Sequence, residues 1–196
     1  NLVHESAGTA LASQMFEPLL NVAPGNGPPR PGQATGYTVS EDGLTYTFKL
    51  RKGLVWSDGT PLDAKDFLYS WLRALDPKTG SQSAQQMWYI KGAKDFNQGR
   101  TTDPKSVGLK VVDDHTFRVT LETPAAFFPD LVTYVIYAPV PQHVIEKHQK
   151  QWTRPENIVV NGPYLMTDWK PRDRIIYAAN PKYWDHKSLK ITRSTV

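Results

Sequence analysis

Cysteine is absent from the 196-residue sequence. Disulfides, thiolate zinc sites and cysteine nucleophiles are therefore excluded within this chain, although disulfide-free proteins occur on both sides of a membrane. No stretch approaches the roughly 20 apolar residues of a spanning helix. The start carries no basic–apolar–small signal pattern. A G-x-S-x-G nucleophile elbow, a phosphate loop and a dinucleotide fingerprint are all missing. The formal net charge is +4, yet no run of five like charges occurs. The clustered basic footprint of a nucleic-acid binder is thus lacking. So is the basic amphipathic helix of a membrane-surface binder. There is no internal repeat and no low-complexity tract. The chain opens abruptly at Asn1 and ends at Val196 in what reads as a strand, so both ends read as cuts in something longer.

What is present describes a globular chain. Hydrophobic residues make up 39% and charged residues 21%, which separates it from disordered sequences. A chain of this size buries roughly 70% of its extended surface on folding. The 6 Trp, 9 Tyr and 7 Phe are expected mainly in the core, with some in a ligand cleft.

Leu11, Met15, Leu19 and Leu20 are spaced for a short helix over Ala10–Leu20, with Thr9 as its cap. Residues 23–32 are dense in proline and glycine and predict a loop without helix or strand. Leu44–Leu50 alternates strictly and predicts a strand. Asp63 is placed to cap a helix through Leu75, with Asp66 in its first turn. Phe67, Leu68, Trp71, Leu72 and Leu75 form that helix's apolar stripe, and Asp76-Pro77 ends it. A second helix is expected over about 83–96.

Val107, Leu109 and Val111, then Phe117, Val119 and Leu121, predict a hairpin bent at Asp113-Asp114. Short helices are expected over 125–133 and, from Pro141, to about Lys150. Strands are expected over Tyr164–Trp169, over Arg174–Ala179, and from about Leu189. Interleaved helices, strands and hairpins give a mixed α/β (α+β) class.

Catalytic or metal chemistry finds little support. Zinc helices carry His at i and i+4. His143 and His148 are five apart, about 140° round a helix, and read as solvated surface residues. Asp185-His186 is the other candidate pair. Asp113-Asp114 sits at a hairpin bend, where it reads as a turn rather than a carboxylate dyad. No catalytic residue, metal ligand or cofactor is assigned.

One long string is distinctive. It runs from Leu44-Thr45-Tyr46-Thr47-Phe48-Lys49-Leu50-Arg51-Lys52 through Trp56-Ser57-Asp58-Gly59-Thr60-Pro61 to Asp66-Phe67-Leu68-Tyr69-Ser70-Trp71. It resembles the signature of the oligopeptide-binding proteins of ABC importers. Val111–Leu121, Trp152–Tyr164 and Asn180–Trp184 also resemble that family. Trp56, Phe67, Trp71 and Trp184 are expected in the core, and Gly59 and Gly162 at backbone turns.

The resemblance implies a two-lobed, periplasmic-binding-protein-like fold with a smaller inserted domain. Residues 1–16 and 141–196 would belong to the first lobe, and 17–140 to the insertion. The second lobe, the C-terminal return to the first and the family's first strand would be absent. The implied ligand-binding residues are His4, Glu5, Ser6 and Ala7, before the first helix, with Ser83 and Ala84 as a second contact. Ser83 stands where the oligopeptide pattern has tyrosine, and the acid Glu5 falls one place from the expected position.

The implied role is extracytoplasmic capture of small peptides for an ABC permease, without enzymatic activity, nucleic acid or membrane insertion. Main-chain pairing with the peptide would supply affinity, and lobe closure would bury the ligand. The alternatives are another solute (dipeptide, nickel, haem or sugar), the sensor domain of a regulator, or a hydrolase.

Overall fold

The computed structural model describes residues 6–25 and 27–196. The first helix, α1, spans Ser6–Met15. It therefore starts and stops about four residues earlier than the apolar spacing predicts. Thr9 lies inside it, its carbonyl accepting from Ser13 Oγ at 2.9 Å. The helix cannot continue because the amide of Glu17 is taken by Asn161 Oδ1 at 3.1 Å, and Pro18 follows.

Two short strands come next, β1 (Leu20–Asn21) and β2 (Arg30–Pro31), paired antiparallel. Arg30–Pro31 thus corrects the expectation of a strand-free loop. A proline is tolerated in a strand only at an edge, and β2 lies in a two-stranded ribbon.

The largest sheet is antiparallel in the order β3-β4-β6-β5. Its strands are β3 (Ala34–Val39), β4 (Thr45–Leu50), β5 (Leu109–Asp113) and β6 (Thr116–Thr120). Tyr46, Phe48 and Leu50 alternate inward along β4 and are buried, as a half-buried strand requires.

Helix α2 (Ala64–Leu75) packs across β5 and β6. Its N-terminus has the full capping box, with Asp63 Oδ1 accepting from Lys65 N and Asp66 Oδ2 from Asp63 N. Such a box satisfies amide donors that a helix start leaves unpaired. The stripe predicted from sequence does the packing. Phe67 and Trp71 are fully buried and meet Phe117 at 6.1 and 5.1 Å between ring centroids. The Trp71 Nε1–H donates to the Tyr137 carbonyl at 2.7 Å.

The expected helix over 83–96 is instead two pieces, a 3-10 turn at Ala84–Met87 and α3 at Ala93–Asn97. Between them the backbone is claimed by the sheet, with Lys91 N donating to Thr120 O and Gly108 N to Lys91 O. Gly92 takes φ +68° there, and an added Cβ would come 2.2 Å from the Ser106 carbonyl. Helix α4 (Phe128–Leu131) is shorter than predicted, and α5 (Gln142–His148) follows Pro141.

The last sheet is β7 (Tyr164–Lys170), β8 (Arg174–Ala179) and β9 (Arg193–Thr195) in that order. A register shift between Met166 and Asp168 interrupts the β7–β8 pairing. Met166 opposes Tyr177 and Trp169 opposes Ile175. The extra residue turns Trp169 onto the face of Met166, which strict alternation would deny it. Helix α1 packs on β7. Among the described residues no helix is long and apolar enough to cross a membrane.

Candidate functional site

Of the residues singled out from sequence, His4 and Glu5 lie outside the described region. Ser6 and Ala7 form the first turn of α1. Ser83 is half-buried and precedes the 3-10 turn, accepting from Gln86 N at 3.0 Å on its carbonyl. Ala84 is buried, so its side chain faces the core rather than an open cleft. The two segments are linked through a third. Tyr137 Oη donates to the Gln86 carbonyl at 2.7 Å, and the 135–137 turn packs against α1. Burial pushes the Tyr137 phenol well above its ordinary range, so it stays a neutral donor.

Beside the 84–87 turn lies a pair of exposed rings not singled out from sequence. Tyr89 and Phe127 are 41% and 48% exposed and meet edge to face at 5.2 Å. Tyr134, 52% exposed, lies one short helix further along the chain. Aromatics held open to solvent in this way are candidate walls of a cleft.

The most connected polar group is Glu17, 4% exposed and also missed from sequence. Its carboxylate accepts from Asn21 Nδ2 at 2.7 Å, Gln33 Nε2 at 2.5 Å, Tyr183 Oη at 2.5 Å and Trp184 Nε1 at 2.6 Å. The lone signal was an acid inside the apolar run Phe16–Leu20. Its main chain is also held, with Asn161 Nδ2 donating to the Glu17 carbonyl at 2.8 Å.

Trp184 is therefore not a core residue as expected. It is 37% exposed, pinned by Glu17 on its edge and covered by the Arg51 guanidinium 3.4 Å above the ring. Burial, with the Glu17 charge beside it, pushes the Tyr183 phenol far up. With every acceptor direction of the carboxylate used, Glu17 is a structural tie rather than a ligand site.

The signature turn at Trp56–Pro61 is likewise structural. Ser57 N donates to Val160 O at 2.8 Å and Val160 N to Ser57 Oγ at 3.0 Å. Asp58 meets His143 Nε2 at 2.8 Å, so His143 has a specific partner where the sequence points to a merely solvated residue. Hydrogen bonds from Thr60 and His143 hold the Asp58 carboxyl below its ordinary value against the opposing effect of burial.

Gly59 does occupy a turn, at φ +97°. Gly162 instead serves close approach, since a Cβ there would stand 2.6 Å from the Met15 carbonyl. His186 Nδ1 pairs with the Asn180 carbonyl at 2.8 Å. Among the described residues no three His, Cys, Asp or Glu side chains converge as metal ligands.

Comparison with known proteins gives these features a family. The periplasmic oligopeptide-binding protein of Escherichia coli K12 is 40% identical over 189 residues, which are 94% of this chain and 34% of that protein. A probable deoxycholate-binding periplasmic protein of the same organism is 40% identical over 185 residues, covering 93% of this chain and 34% of that protein. The crystal structure of a periplasmic oligopeptide-binding protein from Borrelia burgdorferi superposes with a TM-score of 0.94 at 35% identity, covering 99% of this chain and 39% of that one. The chain thus spans about a third of the length of the curated relatives it matches. Residues 28–196 match the family described as bacterial extracellular solute-binding proteins, family 5 Middle, and the chain belongs to that family.

Proposed function

We propose that this chain is one part of an extracytoplasmic receptor that captures small peptides and delivers them to an ABC permease. The observation that carries the reading is the similarity, over nearly the whole chain, to a protein named for oligopeptide binding. No catalytic step is assigned, and the relatives are solute-binding proteins.

Two sheets on separate stretches of chain support a division into a first lobe (1–16 and 141–196) and an inserted unit (17–140). The four-stranded sheet lies within 34–120 and the three-stranded one within 164–195. The Glu17–Asn161 and Ser57–Val160 bonds would tie the two together.

Ligand contacts would come from His4, Glu5, Ser6 and Ala7, and from Ser83 and Ala84. The exposed Tyr89–Phe127 pair would extend the second wall. Pairing of peptide main chain with protein main chain gives affinity with little side-chain selectivity. Closure against a second lobe would then bury the ligand.

Calorimetric titration with tri- to pentapeptides tests this. Residues 1–196 alone should bind no tighter than about millimolar, because half a cleft loses contacts while ordering costs remain. A micromolar isotherm from 1–196 would sink the one-jaw reading. A second reading, capture of an amphipathic steroid acid, is favoured by the relative named for deoxycholate. Deoxycholate in the same titration separates the two.

A further inference from the structure

Helix α2 covers one face of the β3-β4-β6-β5 sheet, where Phe67 and Trp71 meet Phe117. Side chains alternate along a strand, so Thr47, Lys49, Thr116 and Arg118 point to the opposite, outer face. There the register lines up Thr38, Thr47, Arg118 and Lys110 in one row across the four strands. Lys49 and Thr116 are paired in the next row. The outer face is thus a plane of short threonine side chains set with cations, and Lys49 and Lys110 are exposed on it.

Lys110 and Arg118 are direct cross-strand partners. Side chains so placed stand about 5 Å apart at Cβ, and like charges there destabilise a sheet. Among the described residues no carboxylate lies in ion-pair range of either cation. Arg118 Nε is moreover buried without a hydrogen-bond partner, a state that native structures rarely leave unmet. The acids at the ends of these strands are engaged elsewhere. Asp113 accepts from the His115 amide at 2.8 Å and from the Thr116 hydroxyl, which Lys49 Nζ also reaches at 2.8 Å. Glu122 Oε2 accepts from the Gly92 amide at 3.2 Å. The pair therefore lacks an anion that the chain does not supply.

We propose that this outer sheet face docks on an anionic bilayer surface, with lipid phosphates as the acceptors for Arg118 and Lys110. Charge complementarity selects the partner. Lys110, Arg118 and Lys49 stand on three adjacent strands and span about 10 Å of a plane, and a headgroup layer is itself a plane of oxyanions. The guanidinium fork matches phosphate oxygens in pairs. Each Lys or Arg held near such a surface favours binding about fivefold, ~1 kcal/mol. The contact lies on the membrane, with no segment inserted. The proposal rests on the reading of the chain as part of a receptor that serves a membrane permease, and it leaves peptide capture to other surfaces.

The test is sedimentation of 1–196 with vesicles of equal parts phosphatidylglycerol and phosphatidylcholine, without peptide, in low and high salt. The protein should bind these vesicles, come off as salt screens the charges, and ignore phosphatidylcholine alone. Lys110→Glu reverses one charge and should lower the partition about 25-fold, two charge units at fivefold each. Arg118→Gln should lower it about fivefold. Lys147→Glu makes the same change in net charge on α5, which packs against α2 behind the sheet, and should alter the partition by less than about twofold. Lys110→Glu should also lower the unfolding constant about threefold, because it gives Arg118 a cross-strand partner of opposite charge. A chain that folds better and binds worse has not lost binding by unfolding.

No binding to the anionic vesicles, equal binding to phosphatidylcholine, or equal losses for Lys110→Glu and Lys147→Glu would overturn the proposal. So would a Lys110→Glu chain less stable than its parent, since the cross-strand repulsion would then be absent. Binding to polyglutamate instead of vesicles, lost in Lys110→Glu, would assign the face to an acidic protein. Peptide titration reads separately. Failure there with the vesicle results intact removes the peptide reading and leaves the docking face standing.

Discussion

Replacing Glu17 should be the most damaging single polar change in the chain. The carboxylate accepts four side-chain hydrogen bonds, from Asn21, Gln33, Tyr183 and Trp184, at 2.5 to 2.7 Å. The site is 4% exposed, so water cannot substitute for it. Hydrogen bonds to a charged group contribute roughly 1.5–3 kcal/mol each. Their sum overstates the loss, because removing the charge also recovers its desolvation penalty. All four donors are neutral, so what the deletion leaves behind is unpaired buried donors, at about 1–3 kcal/mol each.

Four unpaired donors, less the recovered desolvation of the carboxylate, give an expected loss of about 4 kcal/mol for Glu17→Ala. Glu17→Gln keeps two acceptor directions but turns an NH2 group toward two donors, and should lose about 2–3 kcal/mol. Urea unfolding followed by tryptophan fluorescence measures both, with Trp184 as a local reporter held under Arg51. The slope with denaturant should not change while the midpoint falls. A loss below about 1 kcal/mol for Glu17→Ala would mean the four bonds are dispensable, and the account of this tie would be wrong.

Two further predictions follow from the same interior. Burial and the neighbouring Asp63 charge raise the Asp66 carboxyl to about 6. The folded state then keeps its proton where the unfolded state has lost it. Stability from this group is full below about pH 4 and is lost as pH rises through about 6, by up to ~3 kcal/mol. Asp66→Asn, which can still accept from Asp63 N, should flatten that stretch of the stability–pH curve in denaturant titrations. An unchanged curve would remove Asp66 from the account. Gly162→Ala places a Cβ 2.6 Å from the Met15 carbonyl. The backbones of α1 and β7 must then part, lowering stability by about 1–3 kcal/mol in the same urea assay. A neutral result would show that the approach is looser than described.

Local signals were legible where they were self-contained. The Asp63 cap, the α2 stripe and the Asp113-Asp114 hairpin each depend on residues a few places apart, and each forms. Long-range claims on the backbone decided the rest. Helix α1 ends at Met15 because Asn161, 144 positions away from Glu17, takes the next amide. The 83–96 stretch breaks because β6 and Gly108 claim Lys91. Strand β3 escaped notice because it pairs with β4 across a bulge, with only Ala34 buried on it.

At the candidate site, Ser83 and Ala84 were reached through resemblance; the side chain of the second is buried, which leaves its main chain as the part a ligand would meet. Tyr89 and Phe127 were invisible because an exposed aromatic pair leaves no periodic trace. Glu17 was passed over because its four donors are scattered from Asn21 to Trp184.

The most direct test of the receptor reading is native mass spectrometry of a longer chain, 1–196 continued by the remaining part of the Escherichia coli relative, purified without added ligand from cells grown in peptide-rich medium. The account predicts that it carries a mixture of bound peptides a few residues long, released when the protein is unfolded. A single steroid acid, another defined solute in place of peptides, or a chain that stays empty in that medium and after peptide addition would contradict it.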